Sequence, residues 1–596
     1  MAMMITNISG AAISLPYPYY GILRPGQGIV FEDTEANIVA NLGGAQVVDS
    51  ILKITAVPGV GINPISTQQN PPVNVSQISG NLPLTQTSGT LPTTRLSGIL
   101  VASQIVSQAD ATYWVDAVLG NDANAGTALA PFKTIGAATA LIPHVLSHNF
   151  TINIKAGTYV ESIEITTHIQ SSNVTLKIAG QDWAAITPAT GIQTGTFTSV
   201  SGKFVTSAGA GWAVNDLQKK FVKLTSGTQI GKYFPIASNT IDTLEVCATN
   251  SFIAACNGCT FELVMPAAIV QPSGTPNGDP IRLKISDHRV RLSSIRGIEI
   301  SALQLIGHTV QTGCTGVITA YGMAKIYVTS CYLQSRSSGT KTIECYLMKG
   351  STATFQYNVH DSAVNANSGM NFGAGIIADV SASFIQPGLG QRSLAIKNEG
   401  SYVFFSNGTV IQDFDTLNFP VFDIAYGGNA FLNFNDVVLR NNSTIFRTGN
   451  HGYGLSFSVT TISGCKSVAF DLSTWGSIQS GSRGFNSLVL AASTKIIDGL
   501  SDAIRITCPY NNIAIGANVD ISNNAGWGVN LAYPLPGNAM GGAFNNVGVA
   551  ANTIMSGNAL GDFSIDGTTA LSLAALRALP GKVATDANFF NRIFSE

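Results

Sequence analysis

Between Ile298 and Ile462 the pattern apolar-x-apolar-x-x-apolar-x-apolar returns at nearly regular intervals. It fits Ile298, Ile300, Leu303 and Leu305; Ile326, Val328, Cys331 and Leu333; Val403, Phe405, Gly408 and Val410; and Leu432, Phe434, Val437 and Leu439. Partial matches start at Ala353 (with Phe355), Val380 (with Ala382 and Ile385) and Phe457 (with Val459 and Ile462). The starts fall at 298, 326, 353, 380, 403, 432 and 457, so successive gaps are 28, 27, 27, 23, 29 and 25 residues. Period-two alternation marks a strand with one buried face, and the additional residue between pairs turns the chain while keeping the next pair facing inward. A bent rung that recurs every two dozen or so residues, with no helical stripe, predicts a β-helical solenoid. Alternating apolar triplets also occur in other all-β proteins, but there the kink and the interval have no reason to recur together.

Turn chemistry and composition agree with this reading. Asn407-Gly408, Asn441-Asn442, Asn523-Asn524 and Gly557-Asn558 sit at rung edges, where Asn and Gly tolerate left-handed backbone and Asn side chains pair with loop backbone. Only 11% of the 596 residues are charged, against roughly 25% in ordinary soluble domains. Apolar, hydroxyl and amide side chains fill the remainder, which suits stacked β-ladders better than a helical bundle. The last rungs run through Val519 to Asn524 and Ile554 to Asn558, and the tail beyond 569 carries a short helical stripe, Leu571, Leu573, Leu576 and Leu579, with a Phe589-Phe590 pair. Such a tail can cap the open end of a solenoid.

A different repeat precedes the solenoid. Ile78-Ser79-Gly80-Asn81-Leu82-Pro83, Thr87-Ser88-Gly89-Thr90-Leu91-Pro92 and Leu96-Ser97-Gly98-Ile99-Leu100 place glycines at 80, 89 and 98 and leucines at 82, 91 and 100. Its prolines and glycines exclude a regular helix or central strand, and its few apolar atoms cannot offset the entropy of ordering an isolated chain. The segment is either a linker or one strand of a multi-chain shaft, and a linker needs no leucines at fixed positions. Repeats of this kind resemble the fibrous necks of phage tail fibres and spikes, and the resemblance implies three chains about one axis.

Residues 113 to 161 hold a second resemblance. Tyr113-Trp114-Val115-Asp116, Gly120-Asn121-Asp122, Gly126-Thr127, Pro131 to Ile135 and Ile152 to Tyr159, followed by Glu161, resemble the opening segment of pectin-lyase-like parallel β-helices, phage tailspikes among them. The resemblance implies a strand, a Gly-Asn-Asp loop and a short helix that caps the first rung. It carries no chemistry. Residues 181 to 265 break the rung pattern and resemble a small all-β insert of phage spike and fibre proteins.

Charge excludes other classes. The formal net charge is -2 and no basic stretch is sustained, so the phosphate-neutralising surface of a nucleic-acid-binding protein is missing. The first charged side chain is Arg24, so no basic n-region precedes an apolar stretch, and no apolar run is long enough to span a bilayer. The chain is expected to be assembled in a host cytoplasm without membrane insertion. Of eight cysteines only Cys256 and Cys259 are spaced C-x-x-C, with Cys247 nearby, and without a matched second pair buried thiols are expected rather than zinc. No cofactor or metal is expected.

Polysaccharide cleavage needs two carboxyl groups roughly 5 to 9.5 Å apart. The best candidates are Asp413 and Asp415, which share a face if the backbone is extended, with Asp423 and Asp436 about a rung away. The competing reading of this Asp-x-Asp is a solvated turn. Gly449-Asn450-His451-Gly452 and Arg505-Ile506 resemble elements of polygalacturonases, but the paired aspartates before His451 are absent and Thr507 stands in place of the lysine.

The expectation is an all-β, homotrimeric protein built on a right-handed parallel β-helix. Residues 1–62 form a virion-attachment β-domain, 63–110 a triple-stranded neck, and 111–180 the capped first rungs. Residues 181–265 form the insert, 266–568 the β-helix and 569–596 the cap. Function is expected to be structural: a tail spike or fibre that docks to other virion proteins and contacts host surface polysaccharide. A depolymerase, a head or collar fibre, and a secreted adhesin are the alternatives.

Overall fold

A computed structural model describes five strands within residues 1–56 and residues 106–595, less 273–280, 285–296, 308–315, 473–485, 532–544 and shorter stretches between strands. Met1–Arg95 and Leu96–Glu596 are separate compact units. In the first, Ala2–Asn7 pairs antiparallel with Gly28–Glu32 and Leu52–Ala56, and Ile13–Leu15 pairs with Gly21–Leu23. The nine-residue repeat lies outside the described residues.

The second unit is a parallel β-helix. Successive strands visit three long sheets in turn, as in Lys325–Thr329, Tyr332–Gln334 and Lys341–Leu347, before Thr352–Gln356 returns beside the first. The sheets have fifteen strands (sheet I), twelve (sheet II) and thirteen (sheet III), and rung-to-rung pairing is parallel. Ile300, Val328, Phe355, Val380, Phe405, Phe434 and Phe457 stand in one register file on the inner wall. Each is at most 1% exposed, so the kinked template does mark one hollow column.

The kink itself is a left-handed residue. Ala302, Ser330, Tyr357, Ala382, Asn407, Asp436 and Val459, each between a sheet I and a sheet II strand, have φ between 46° and 59°. This corrects two of the template starts. Ala382 and Val459 are corner residues rather than inward ones, and the inward pairs of their rungs are Ala378 with Val380 and Leu455 with Phe457. An apolar side chain at a corner mimics strand alternation. Gly408 and Val410 also leave the inner wall, because Ile411 holds the inward place in that rung.

Val459 is β-branched, left-handed and 51% exposed, a conformation that costs an L-residue roughly 1–2 kcal/mol. Val459→Asn is therefore expected to stabilise the protein by up to about 1 kcal/mol, because Asn tolerates this region and the side chain it replaces is half exposed. An unchanged urea midpoint would refute the assignment of strain.

At the other corners asparagines bridge rungs. Asn442 accepts from Phe414 N at 3.1 Å and donates to Ile411 O at 3.1 Å, while its neighbour Asn441 takes the left-handed conformation. Asn523 and Asn524 divide the work the same way: Asn523 is left-handed, and Asn524 accepts from Gly499 N and donates to Ile496 O. The ends are closed by short elements. Helix Ile135–Thr139 lays Ile135 and Ala138 on the first rung, and the Glu161 carboxylate accepts its Ile135 and Gly136 N–H groups at 2.8 Å. At the far end, Asn591–Ser595 adds a parallel strand to sheet I, Val583–Thr585 covers it antiparallel, and helix Leu573–Ala578 buries Leu573 and Leu576. No helix among the described residues is long and apolar enough to cross a membrane.

Strands from Trp183–Ala185 to Thr260–Pro266 form an antiparallel insert with its own core around Trp212, Phe197 and Phe261. It packs on the outer face of sheet II. Val359, Phe384 and Val410 share an outward file there and are fully buried against Phe221, Ala237, Cys247 and Val264 of the insert. Backbones come close enough that a Cβ on Gly408 would lie 2.1 Å from Ala248 O.

Candidate functional site

Next to that apolar file, sheet II carries a polar one. Gln334 pairs in register with Asp361, Asp361 with Gln386, and Gln412 with Arg440, while Ile385↔Ile411 sets Gln386 beside Gln412. These five side chains advance along the axis by the strand spacing of about 4.8 Å. The file is tied together. Asp361 accepts from Tyr332 Oη at 2.7 Å, Gln334 Nε2 at 3.0 Å and the insert's Lys219 Nζ at 2.9 Å. Arg336 Nε donates to Gln334 Oε1 at 3.0 Å. Burial and the Asp361 charge push the Tyr332 phenol up, so it stays protonated and donates.

Asp413 stands beside this file, at a corner with φ 63°. Its carboxylate accepts from Gln386 Nε2 and Gln412 Nε2, each at 2.7 Å, and from Asn441 Nδ2 at 3.3 Å. The left-handed backbone at Asp413 removes the extended geometry that would have placed it and Asp415 on one face. Asp415 lies outside the described residues. Asp436 is at the opposite end of the sheet II strand, where its carbonyl accepts from Gly408 N and its carboxylate binds Lys203 Nζ of the insert at 2.7 Å. Asp413 and Asp436 are therefore not brought together; each holds a corner or the insert.

The insert meets the helix through complementary charges. Besides Lys203–Asp436 and Lys219–Asp361, Arg440 Nη2 lies 2.6 Å from Glu245 Oε2 while its Nε donates to Gln412 Oε1 at 2.7 Å. At the rim Trp183 stacks on Tyr233 at 3.8 Å, and both pack with Tyr332 against the shared apolar cluster. The Gln386 amide, oriented by Asp413, leaves its Oε1 without a protein partner. Amides, a carboxylate, a guanidinium and aromatic rings side by side are groups suited to hydroxyl-rich ligands, and of these Asp361 and Gln412 are buried where the insert meets sheet II.

Sheet III has a charged file that sequence spacing hides. Lys397, Asp423, Arg447, Asp471 and Arg505 occupy successive register positions. Arg505 grips Asp471 with Nε–Oδ1 at 3.3 Å and Nη2–Oδ2 at 3.1 Å. Arg505 thus pairs with a carboxylate next door, and His451 lies outside the described residues. The five described cysteines are buried and free; burial holds the Cys256 thiol up at about 11 and Cys331 at about 12. No three His, Cys, Asp or Glu side chains gather as a metal site among the described residues.

No family model matches the chain. No curated protein matches it either. Among solved structures, XylC in complex with xylose is 11% identical over 80% of this chain and 88% of its own, with a TM-score of 0.26. The tailspike protein gp49 of Pseudomonas phage LKA1 is 9% identical over 70% of this chain and 74% of its own, with a TM-score of 0.28. The gp54 tailspike of Acinetobacter baumannii bacteriophage AP22, in complex with A. baumannii capsular saccharide, is 9% identical over 71% and 70%, at 0.22. These likenesses are loose and concern fold alone; the architecture rests on the register described above.

Proposed function

We propose that this chain is a structural component of a phage particle, a tail spike or fibre whose β-helix contacts polysaccharide on the host surface. In this reading residues 1–62 dock to other virion proteins and 63–110 wind with two further copies. The observation that carries it is the sheet II file Gln334, Asp361, Gln386, Gln412 and Arg440 beside Trp183, Tyr233 and Tyr332. In a chain with so few charges, a row of hydrogen-bonding side chains beside aromatic rings, at the edge where the insert meets sheet II, offers sugar hydroxyls partners. The described carboxylates in it, Asp361, Asp413 and Glu245, hold neighbouring donors, which favours binding over acid–base work.

The test is incubation of the purified full chain with capsular polysaccharide and lipopolysaccharide of candidate hosts, with binding and new chain ends both measured. The expected result is saturable binding that Gln334→Ala and Gln386→Ala weaken at least tenfold while the circular dichroism spectrum stays native. New reducing ends or unsaturated sugars, lost in Asp413→Asn or Asp436→Asn, would instead establish the depolymerase. Binding to none of the polysaccharides would favour a head or collar fibre.

A further inference from the structure

We infer that copies of this chain meet through the outer face of sheet I, around Ile377, Tyr402, Phe404 and Phe431. Ile377, Tyr402 and Phe431 follow one another in a single register file, and Phe404 lies in the next outward file, three rungs along from Tyr327. These side chains are 41–48% exposed although they are apolar or aromatic. Tyr402 and Phe431 stack at 4.7 Å with planes 8° apart, and the Phe431 ring lies over Gly454, where a Cβ would come within 2.5 Å of it.

The other two sheets differ in these rungs. On sheet II the insert covers Val359, Phe384 and Val410. On sheet III the described members of the outward file are polar: Thr319, Asp471, Arg505, Asn530 and Ser564. Sheet I remains open through these rungs. It is also the sheet whose first strand, Ala111–Val115, directly follows the nine-residue repeat.

The occupant is a second copy of this chain, and that step rests on the multi-chain reading of residues 63–110. A shaft of parallel chains delivers its β-helices side by side in one orientation, so cyclic symmetry turns the same face of each toward the axis. These four side chains and Tyr327, each nearly half exposed, offer on the order of 400 Å² of apolar surface, about half of what one partner contributes to a standard interface. Lys325, Thr354, Asp379, Asn433 and Ser456 around them supply the polar rim such interfaces have. A polysaccharide fits this face poorly, because Ile377, Phe404 and Phe431 offer a sugar no hydrogen bond, whereas the sheet II file offers many.

The experiment uses the full chain with Asn433→Cys, a control Lys495→Cys on the exposed part of sheet II, a bis-maleimide cross-linker, and mass photometry. Covalent oligomers are expected from Asn433→Cys and not from Lys495→Cys. Phe404→Asp with Phe431→Asp is expected to raise the concentration of half-dissociation at least tenfold while the circular dichroism spectrum stays native. An assembly that survives the double substitution and gives no cross-link at 433 would overturn the face and leave the multi-chain neck standing. A monomeric parent chain would overturn both. Polysaccharide binding abolished by the double substitution, without a cross-link at 433, would overturn the inference in favour of sugar.

Discussion

Replacing Phe434 with alanine is expected to lower the free energy of unfolding by about 3–5 kcal/mol, at the upper end of core truncations. The ring is fully buried in the middle of a stack along the inner wall, 5.0 Å from Phe405 with planes 10° apart and 4.4 Å from Phe457 with planes 1° apart. Phe422 of sheet III meets its edge at 5.0 Å and 63°. Each such pair contributes about 0.5–1.5 kcal/mol beyond burial, so three are lost at once. The cavity has little chance to collapse. Its walls are strands held at fixed spacing by ladder hydrogen bonds to the rungs on either side, and moving one wall would break them. Phe434→Leu should recover most of the loss. Urea unfolding of the three proteins, compared at equal slope, checks this, and a loss under 1 kcal/mol for the alanine variant would show that the stack is not the core.

The column was legible because its chemistry repeats in every rung. Ile300, Val328, Phe405 and Phe434 differ in shape yet share a period and a side, and a ladder requires only that. What misled the reading at Ala382 and Val459 is that a left-handed corner imposes no residue type strong enough to see: it is filled by Ala, Ser, Tyr, Asn, Asp and Val in different rungs. The docking face for the insert left a signal, since Val359, Phe384 and Val410 are apolar where an outward position should be polar. Taken singly each passes for ordinary strand composition. The polar file of the candidate site left almost none. Gln334, Asp361, Gln386, Gln412 and Arg440 lie about a rung apart in sequence, each resembles an isolated surface residue, and only the register aligns them. Their charge partners are more remote still, Lys219 and Asp361 standing 142 positions apart and Lys203 and Asp436 233. Asp413 drew notice as half of an acidic pair, but its left-handed backbone makes it a turn residue that holds two glutamines.

His360 is expected to make the protein acid-sensitive. It pairs in register between Leu333 and Ile385, in the inner file where neighbouring rungs carry aliphatic side chains, and it is fully buried with neither ring nitrogen bonded to protein. Burial pushes its pKa down from 6.5 to about 3, so the folded chain keeps the ring neutral. Between those two values the unfolded chain binds a proton that the folded chain does not. Stability therefore falls as pH falls through that window, by about 1.4 kcal/mol per unit once below the free histidine range. From pH 7 to pH 4.5 this amounts to about 2–3 kcal/mol. Carboxylates titrate in the same window, so the comparison must be with His360→Leu, which keeps them all and fills the file as Leu333 does. The leucine variant is expected to be more stable at pH 7 by about 1–3 kcal/mol, because two buried polar atoms without partners are removed. Its advantage should widen steadily down to pH 4.5 when urea midpoints are measured at each pH. Parallel curves for the two proteins would mean that the ring is hydrated or paired in solution, and that the lumen at this rung is not dry.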